Sequence, residues 1–225
     1  MIYIYYSYIS ENNHKKLMQE SLLKLPIDFQ KKVKSYRRWQ DAQLSLLGRI
    51  LLYKGTDNFD KKYREINIKY TEYNKPYFGE ERGEVFFNIS HSGKIVVCAV
   101  TNLCEIGIDI ELKRDIQLDD FQPQMTDGEW MKITGSFNKM DSFYNYWTQK
   151  EAVIKGCGKG LAVPLRSFEV LKNTAIVDNE NFFLKQIWLD DQYKCHIATN
   201  KLVNESSIKI SEFDSSKLSH KLIQI

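Results

Sequence analysis

The sequence of 225 residues lacks most of the signals that mark the common classes of binding and targeted proteins. Its four cysteines include no C-x-x-C pair, the spacing typical of zinc and dithiol sites. No stretch approaches the ~20 apolar residues of a membrane-spanning helix, and the first residues lack a basic segment followed by an apolar one. A P-loop and a dinucleotide fingerprint are also missing. We therefore expect reduced thiols, a cytoplasmic location and no membrane partner.

Charge of neither sign dominates, because 32 Lys and Arg residues oppose 29 Asp and Glu residues and leave a formal charge of +3. This balance gives no reason to expect a nucleic-acid partner. Basic residues are nevertheless concentrated between positions 14 and 38: Lys15, Lys16, Lys24, Lys31, Lys32, Lys34, Arg37 and Arg38. The local excess suits an anionic ligand, although a solvated helix face is the commoner explanation for any one of these lysines.

Two similar series of elements are predicted along the chain. The first has a strand over residues 2–9, helices through the basic stretch and up to Gly55, a strand over residues 66–73, a turn at residues 74–76, and strands over residues 85–89 and 95–100. The second has a strand from Ile106, helices around Trp130 and Trp147, and strands near Phe168 and over residues 182–188 and 193–198. The order predicts an α+β fold of two similar lobes, residues 1–103 and 104–225, in one compact body with a site between the lobes.

Two carboxylates share one face of the strand that begins at Ile106. Ile106, Ile108 and Ile110 alternate with Gly107, Asp109 and Glu111, and side chains two residues apart point the same way. Two acidic groups about 7 Å apart repel each other unless a cation lies between them. An acidic strand face exposed to solvent is the competing interpretation, and spacing alone does not decide between them.

A glutamate and a lysine lie one turn apart on the helix around Trp147. We expect this helix to begin with Asp141 as its N-cap and to end at Gly156. Glu151 and Lys155 then lie on the same side. Taken alone, the pair is an ordinary surface ion pair, which contributes about 0.3–0.5 kcal/mol.

Residues 86–93 place a strand before a predicted tight turn that carries Ser90, His91 and Ser92. Hydroxyls, an imidazole and backbone amides are good partners for phosphate oxygens. A polar hairpin turn is the competing interpretation. A serine-hydrolase site is disfavoured, since the pattern G-x-S-x-G is absent, and the pair Cys195 and His196 has no further ligand at metal-binding spacing.

Aspartate and glutamate oxygens together favour a hard cation, Mg²⁺ before Mn²⁺. Such sites commonly act on phosphate esters or anhydrides. The carboxylates and Lys155 therefore indicate phosphoryl-centred chemistry, in which a carboxylate takes a proton and a lysine offsets developing charge.

In series, four motifs resemble the surfactin-type 4′-phosphopantetheinyl transferases. They are residues 74–76 (Asn-Lys-Pro), 87–92 (Phe-Asn-Ile-Ser-His-Ser), 107–111 (Gly-Ile-Asp-Ile-Glu) and 147–161, which contains Trp147, Lys150-Glu151-Ala152, Lys155 and Gly158-Lys159-Gly160-Leu161. Asp41-Ala42 and Leu46-Leu47-Gly48 add a match near the N-terminus. Each motif is weak alone, but their order, spacing and total length all agree, and the resemblance covers nearly the whole chain.

The resemblance implies a monomer of two pseudo-symmetric α+β halves with coenzyme A bound between them. It implies Mg²⁺-dependent transfer of phosphopantetheine from coenzyme A to a serine of an apo acyl or peptidyl carrier protein, with release of adenosine 3′,5′-bisphosphate. Asp109, Glu111 and Glu151 would hold the metal on the coenzyme's diphosphate. Glu151 would also be the base for the carrier serine, and Lys155 would contact the diphosphate.

Further coenzyme contacts are implied by the same resemblance. Ser90 and His91 match positions that contact phosphates, and Tyr73, Asn74, Lys75 and Pro76 match the wall beside the adenine. Lys32 and Ser45 match two more coenzyme-binding positions. The family pattern carries a second basic residue three positions before Lys32, where this chain has Phe29, and Lys31 or Arg38 are the alternatives for that contact.

Two other functions remain compatible with the same residues. A metal-dependent hydrolase of nucleotides or phosphodiesters would use the same carboxylates without a carrier. A non-catalytic coenzyme-binding module would bind the ligand and tolerate replacement of Glu151 by glutamine.

Overall fold

The computed structural model describes residues 1–59, 68–79 and 84–217, and helices and strands follow one another along the chain as an α+β protein. The helices are α1 (Glu11–Glu20), α2 (Ile27–Lys34), α3 (Trp39–Thr56), α4 (Asp127–Thr134) and α5 (Lys139–Cys157). The strands are β1 (Ile2–Tyr8), β2 (Ile68–Tyr70), β3 (Pro76–Phe78), β4 (Phe86–Ser92), β5 (Ile95–Thr101), β6 (Ile106–Leu112), β7 (Thr174–Val177), β8 (Glu180–Gln186), β9 (Tyr193–Thr199) and β10 (Ile208–Glu212). The mixed α+β class predicted from the sequence is confirmed.

Two four-stranded sheets repeat one connection pattern. The first has the order β10-β1-β5-β4 and the second the order β6-β9-β8-β7. In each, a first strand (β1 or β6) leads through helices to a hairpin (β4 and β5, or β8 and β9) whose last strand pairs antiparallel with the first. The repeat in element order predicted from the sequence is therefore present as a repeat in strand pairing.

The helices and sheets pack in four layers: α3, the first sheet, the second sheet and α5. Side chains alternate between the two faces of each strand, so each sheet packs on both sides. One face of the first sheet, which includes Phe87, Val96 and Cys98, packs with α3 in one apolar cluster. The opposite face contributes Ile4, Ile95 and Val97 to a second cluster that also contains Ile106, Ile108 and Ile110 of β6. The remaining face of the second sheet lies against α5. Each β6 residue therefore points either into the core between the sheets or toward α5, and Asp109 and Glu111 point toward α5.

Side chains, rather than backbone pairs, join β4 to the edge of β6. The Asn88 side-chain oxygen accepts from the N–H of Ile108 at 3.1 Å. The Ser90 hydroxyl accepts from Ile110 at 3.4 Å, and the Ser92 hydroxyl accepts from Leu112 at 3.1 Å. We call these three contacts the seam. It satisfies alternate N–H groups of β6, which would otherwise be left without a partner at a buried edge.

Helix α5 lies unusually close to β6 because residue 107 has no side chain. A Cβ atom at Gly107 would overlap the backbone oxygen of Ala152 and the backbone nitrogen of Gly156. The contact brings the last turns of α5 directly over the strand that carries Asp109 and Glu111. The glycine thus determines the depth at which Glu151 and Lys155 lie.

The predicted ends of α5 were wrong by a few residues. Asn138, not Asp141, caps the N-terminus, and its side chain accepts from the N–H of Asp141 at 2.9 Å. At the C-terminus the helix continues past Gly156 to Cys157, and Gly158 takes the left-handed conformation with φ 73° that ends it.

Other elements also differ from the prediction. The strand expected over residues 66–73 is limited to Ile68–Tyr70 within the described residues, and residues 66 and 67 lie outside them. The strand expected near Phe168 is absent there, since that residue follows a 3₁₀ turn instead. Strand β10 was not predicted, and it pairs in parallel with β1.

Strand β10 lies far along the chain from the sheet that it joins. Residues 208–212 belong to the second of the two proposed lobes by sequence, but they complete the first sheet. A division after residue 103 therefore does not describe that sheet. In the part of the chain that the structure describes, no helix combines the length and the apolar character that crossing a membrane requires.

Candidate active site

Asp109 lies at the centre of the predicted site, on β6 beneath α5, and is only 3% exposed. Its Oδ1 accepts from the Ser90 hydroxyl at 3.0 Å and from Lys155 Nζ at 2.6 Å. Its Oδ2 is buried and has no hydrogen-bond partner among the described residues. Burial raises the pKa of Asp109 above its usual range, and the Lys155 ammonium and the Ser90 hydroxyl oppose that rise.

Lys155 connects α5 to both sheets. Besides Asp109 on β6, its ammonium donates to the Ser90 hydroxyl on β4 at 2.9 Å. Its side chain remains 29% exposed, so Lys155 is not sealed inside the protein. The surface ion pair with Glu151 suggested by helical spacing alone is not the principal contact, because Lys155 binds across to the strands.

Glu111 lies two residues farther along β6 and has its own serine. Its Oε2 accepts from the Ser92 hydroxyl at 2.6 Å. Burial raises the pKa of Glu111, the Ser92 hydrogen bond lowers it, and the Asp109 carboxylate raises it further. The charge of Asp109 thus acts on the ionisation of Glu111, which lies two residues along the same strand.

Glu151 is the least constrained of the three carboxylates. It is partly buried on α5, and no hydrogen bond from another described residue reaches its carboxylate. Burial raises its pKa, as does the Asp109 carboxylate, while Lys155 lowers it. A half-buried carboxylate without a donor is free to rotate and to accept a proton.

Asp109, Glu111 and Glu151 are the candidate ligands of a divalent cation. No three metal-binding side chains are grouped at ligand spacing within residues 1–59, 68–79 and 84–217. The direct partner of Asp109 is instead the Lys155 ammonium. Nonetheless, Oδ2 of Asp109 is buried without a partner among the described residues, and the pKa values of Glu111 and Glu151 are raised. These carboxylates therefore have too little positive charge around them, and a bound cation would supply it. All three oxygen donors are of the type that Mg²⁺ prefers.

A cleft of about 150 Å³ opens beside Lys155. Its walls are the loop of residues 73–76 and the end of α5, with Asn88, Ile154, Lys155, Gly158 and Gly160. All four predicted residues of the adenine-side wall thus line one cleft together with Lys155. A larger cavity of about 400 Å³ lies between β8, β9 and residues 202–208 and includes none of the predicted site residues.

Lys75 holds this cleft together. Its ammonium donates to Glu105 Oε2 at 2.5 Å and to the backbone oxygen of Gly156 at 2.7 Å. The second contact places a cation on a carbonyl of the last helical turn, where the helix dipole favours positive charge. The preceding residue, Asn74, adopts a left-handed conformation with φ 63°, which asparagine tolerates better than most residues.

The serine and histidine motif lies on a strand, not in a turn as predicted. Strand β4 continues through Ser92, and the turn follows at Gly93, whose φ is 55°. Because side chains alternate, Ser90 and Ser92 point toward β6, whereas His91 points to the opposite face and is exposed. The imidazole therefore does not share a face with the two hydroxyls, although partial burial lowers the pKa of His91 and the charges of Lys155 and Asp109 both act on it.

Two predicted coenzyme-binding residues lie on the helices of the first half. Lys32 is exposed on α2, and Ser45 is partly buried on α3. Neither is hydrogen-bonded to Asp109, Glu111, Glu151 or Lys155 in the described part of the chain. At the position of the missing basic residue, Phe29 packs against the first core and lies 4.3 Å beneath the Arg49 guanidinium.

A fully buried ion pair fixes the residue before Glu151. Lys150 and Glu129 are both 0% exposed, and the ammonium donates to both carboxylate oxygens, at 2.9 and 2.7 Å, and to the backbone oxygen of Phe168 at 2.7 Å. Glu129 also accepts from the N–H groups of Thr126 and Val170. Lys150 is part of the fourth motif. Its partner Glu129 was not predicted, because it lies 21 positions earlier on another helix and no local pattern connects the two.

His196 was assigned from the sequence only as a strand residue, and it lies directly opposite Asp109 in the β6–β9 register. Its Nδ1 is 2.7 Å from the Thr148 hydroxyl, which donates to the backbone oxygen of Tyr144. The Nδ1 proton is therefore assigned to the bond with Thr148. Burial lowers the pKa of His196 to about 3, so the ring is neutral. It is a neutral hydrogen-bonding group beneath α5.

Family models match both halves of the chain. One described as "4'-phosphopantetheinyl transferase superfamily" matches residues 105–211, and one described as "4'-phosphopantetheinyl transferase, N-terminal" matches residues 12–103. A solved holo-[acyl-carrier-protein] synthase of Thermotoga maritima matches with a TM-score of 0.37 and 14% identity, over 42% of this chain and 61% of that one. That likeness is too low to support an argument.

Curated relatives carry the same name. A 4'-phosphopantetheinyl transferase of Bacillus subtilis is 32% identical over 177 residues, 74% of this chain and 78% of that protein. The transferase gsp of Aneurinibacillus migulanus is 35% identical over 141 residues, 61% of this chain and 58% of that protein, so the match spans less than two thirds of gsp. These matches confirm the resemblance found in the motifs: the chain belongs to the 4′-phosphopantetheinyl transferase family.

Proposed function

We propose that this protein transfers the 4′-phosphopantetheine group of coenzyme A to a serine hydroxyl of an apo acyl or peptidyl carrier protein. The products are the holo-carrier and adenosine 3′,5′-bisphosphate. Family membership and the relatives' name, 4'-phosphopantetheinyl transferase, support the reaction class and the group transferred. The donor and the acceptor are those that the motif resemblance implies. The observation that carries the proposal for this chain is the convergence of Asp109, Glu151 and Lys155, from one strand and one helix, beside the cleft of residues 73–76.

In the proposed reaction the serine oxygen forms a bond to the phosphorus next to the pantetheine. The bond from that phosphorus to the oxygen bridging the two phosphates breaks, and the bridging oxygen leaves with the adenosine bisphosphate. Glu151 accepts the serine proton, which its raised pKa and its lack of hydrogen-bond donors favour. Lys155, partly exposed toward the cleft, offsets the negative charge that develops on the leaving phosphate.

Asp109, Glu111 and Glu151 would hold Mg²⁺, or Mn²⁺ in its place. The cation supplies neutralisation of the diphosphate oxygens, as divalent ions do in phosphoryl transfer generally. For Asp109 this role requires Lys155 to share or release Oδ1, because the ammonium lies 2.6 Å from that oxygen. Lys155 is long and partly exposed, so it can turn toward the diphosphate.

The test is a mass measurement on carriers from several pathways. Purified protein, coenzyme A and Mg²⁺ are incubated with apo-carriers of fatty-acid, polyketide and peptide synthesis. We expect at least one carrier to gain one phosphopantetheine group, and the gain to disappear when Mg²⁺ is chelated. Glu151→Gln should reduce the rate by roughly 100-fold or more, in the range of lost general-base catalysis. Glu72→Gln, at an exposed carboxylate, is the matched control and should keep the rate.

The same assay separates the alternatives. Loss of coenzyme A without any carrier would indicate a hydrolase. Binding of coenzyme A with no gain on any carrier, and no change with Glu151→Gln, would indicate a binding module. Either result would contradict the proposed transfer.

We also propose that the protein acts as a monomer in the cytoplasm, without a nucleic-acid or membrane partner. Its four cysteines are unpaired, which suits a reducing compartment. The modest net charge of +3 suits carriers and coenzyme A better than a polyanion such as DNA.

A further inference from the structure

Ser92 makes two hydrogen bonds whose directions are fixed by chemistry. Its oxygen accepts from the N–H of Leu112, which can only donate, at 3.1 Å. Its single proton is therefore available to Glu111 Oε2 at 2.6 Å, a charge-assisted bond. The hydroxyl thus ties the Glu111 carboxylate to the backbone of the next residue on the same strand. Ser92 restricts both the position and the rotation of that carboxylate.

Ser90 repeats the arrangement one step earlier. Its hydroxyl contacts Asp109 Oδ1 at 3.0 Å and the N–H of Ile110 at 3.4 Å. In each case the serine contacts a carboxylate 19 positions later and an N–H group 20 positions later. The repeat follows from the parallel course of β4 beside β6. Ser90 differs in one respect, since Lys155 also donates to it.

We propose that Ser92 is a positioning residue that orients Glu111 for a divalent cation, rather than a ligand of the coenzyme's phosphates. The inference rests on the proposed function only for the presence of the cation. Ser92 does not line the cleft beside Lys155, whose walls are residues 73–76, Asn88 and the end of α5. Its proton is directed to Glu111. A serine serving as a phosphate ligand would instead direct its hydroxyl toward the ligand.

Groups that hydrogen-bond a metal ligand typically change metal affinity by roughly 10–100-fold when they are removed. We therefore expect Ser92→Ala to weaken Mn²⁺ binding by about 10-fold or more, measured by electron paramagnetic resonance of free Mn²⁺ with and without coenzyme A. Ser92→Thr keeps the hydroxyl on a β-branched side chain that suits a strand, and it should retain affinity within about threefold. In kinetics, Ser92→Ala should raise the Mg²⁺ concentration for half-activity and, at saturating Mg²⁺, leave the KM for coenzyme A unchanged.

A matched control removes a buried hydroxyl elsewhere in the same sheet. Ser7 on β1 is 0% exposed and donates to the backbone oxygen of Phe213 at 2.7 Å. Ser7→Ala therefore carries a similar loss of packing and hydrogen bonding, and it should leave Mn²⁺ affinity unchanged. Melting temperatures of all three variants show whether a substitution has lowered the overall stability of the protein.

Four results would overturn the inference: Mn²⁺ affinity unchanged in Ser92→Ala, an equal loss in Ser7→Ala, a rise in the KM for coenzyme A alone, or no Mn²⁺ binding by the unaltered protein. The carrier assay distinguishes failure of the wider proposal. If no carrier is modified but Ser92→Ala still weakens Mn²⁺ binding and Ser92→Thr restores it, the positioning role holds and the transferase proposal fails. If carriers are modified and Ser92→Ala leaves Mn²⁺ binding unchanged, the transferase proposal holds and the positioning role of Ser92 fails.

Discussion

At the scale of single residues, the charged carboxylates of the site lower the stability of the folded protein. Asp109, Glu111 and Glu151 are drawn out of water, and each has a raised pKa for which burial is the first cause. The Lys155 ammonium compensates Asp109 directly, whereas Glu151 has no such partner. A buried carboxylate without a compensating cation lowers stability, and such groups are typically kept where they serve function.

Removing the charge of Glu151 should therefore stabilise the protein without ligands. The pKa of Glu151 is raised above its usual 4.5 in the folded state, so the folded protein holds this proton more tightly than the unfolded chain. The charged form costs stability at neutral pH, and the cost vanishes as the pH falls below the unfolded pKa. We expect Glu151→Gln to raise the free energy of unfolding by about 0.5–2 kcal/mol at pH 7 and by little near pH 4.

Urea titrations at the two pH values, with Glu72→Gln as the control, measure this difference. A variant less stable than the parent at pH 7 would show that Glu151 is held by contacts that the raised pKa does not reflect.

Sequence patterns identified the charged residues of the site but not their partners. Strand alternation was sufficient to place Asp109 and Glu111 on one face, and helical spacing to place Glu151 near Lys155. The ammonium of Lys155 contacts Ser90 and Asp109, which are 65 and 46 positions away along the chain. Such contacts depend on how the sheets and α5 pack, and no local pattern carries that information.

At the scale of elements, the close approach of α5 to β6 determines whether the site forms. The helix reaches the strand only where Gly107 leaves room, and the backbone of Ala152 and Gly156 occupies that room. Backbone atoms cannot rotate away as the end of a side chain can. A single methyl group at residue 107 must therefore displace the helix or the strand.

We expect Gly107→Ala to lower the free energy of unfolding by about 1–3 kcal/mol or more, as overpacking does, and to reduce transfer activity even where the protein remains folded. Thermal melts and the carrier assay below the melting temperature measure the two effects. Gly128→Ala is the control, because a Cβ there meets only the side chain of Glu169 and alanine favours a helix. Equal losses of stability and of transfer activity in Gly107→Ala and Gly128→Ala would contradict the proposed close contact.

The errors in predicting elements have identifiable causes. Ser90, His91, Ser92 and Gly93 have the composition of a turn, but pairing with β5 keeps the three polar residues in the strand. Tertiary pairing here outweighs local preference. At the end of α5, two glycines stand two positions apart, and only Gly158 takes the left-handed conformation, while Gly156 lies against Gly107.

At the scale of the whole molecule, the two halves pack together through one of the apolar clusters. Residues of β1 and β5 and residues of β6 and β9 belong to the same buried cluster. The seam and the pairing of β10 with β1 add polar connections across the chain. We infer that neither half unfolds alone.

Destabilising either half should therefore loosen both. Leu47 belongs to the cluster beside α3 and Leu184 to the cluster beside α5. Each leucine-to-alanine change should cost about 2–5 kcal/mol. Amide hydrogen exchange, followed by mass spectrometry, should then accelerate in β5 and β9 by similar factors in both variants. Acceleration limited to the half that carries the substitution would indicate two independent units.

The α+β class was predictable from the sequence because β5 is a continuous apolar run and β6 alternates isoleucine with other residues, and both patterns are separated from the helical segments. The parallel pairing of β10 with β1 was not, since these strands lie about 200 positions apart and β10 is mostly exposed. An exposed five-residue strand leaves a weak pattern. Its place in the first sheet depends on the path of the chain around the second.

The seam also has a consequence for self-association. An outer strand with free N–H groups is a template on which another polypeptide can add a strand, and proteins with such edges aggregate. In β6 these groups, on Ile108, Ile110 and Leu112, are occupied by Asn88, Ser90 and Ser92. The polar residues that serve the site thus also cover an apolar strand that would otherwise favour aggregation.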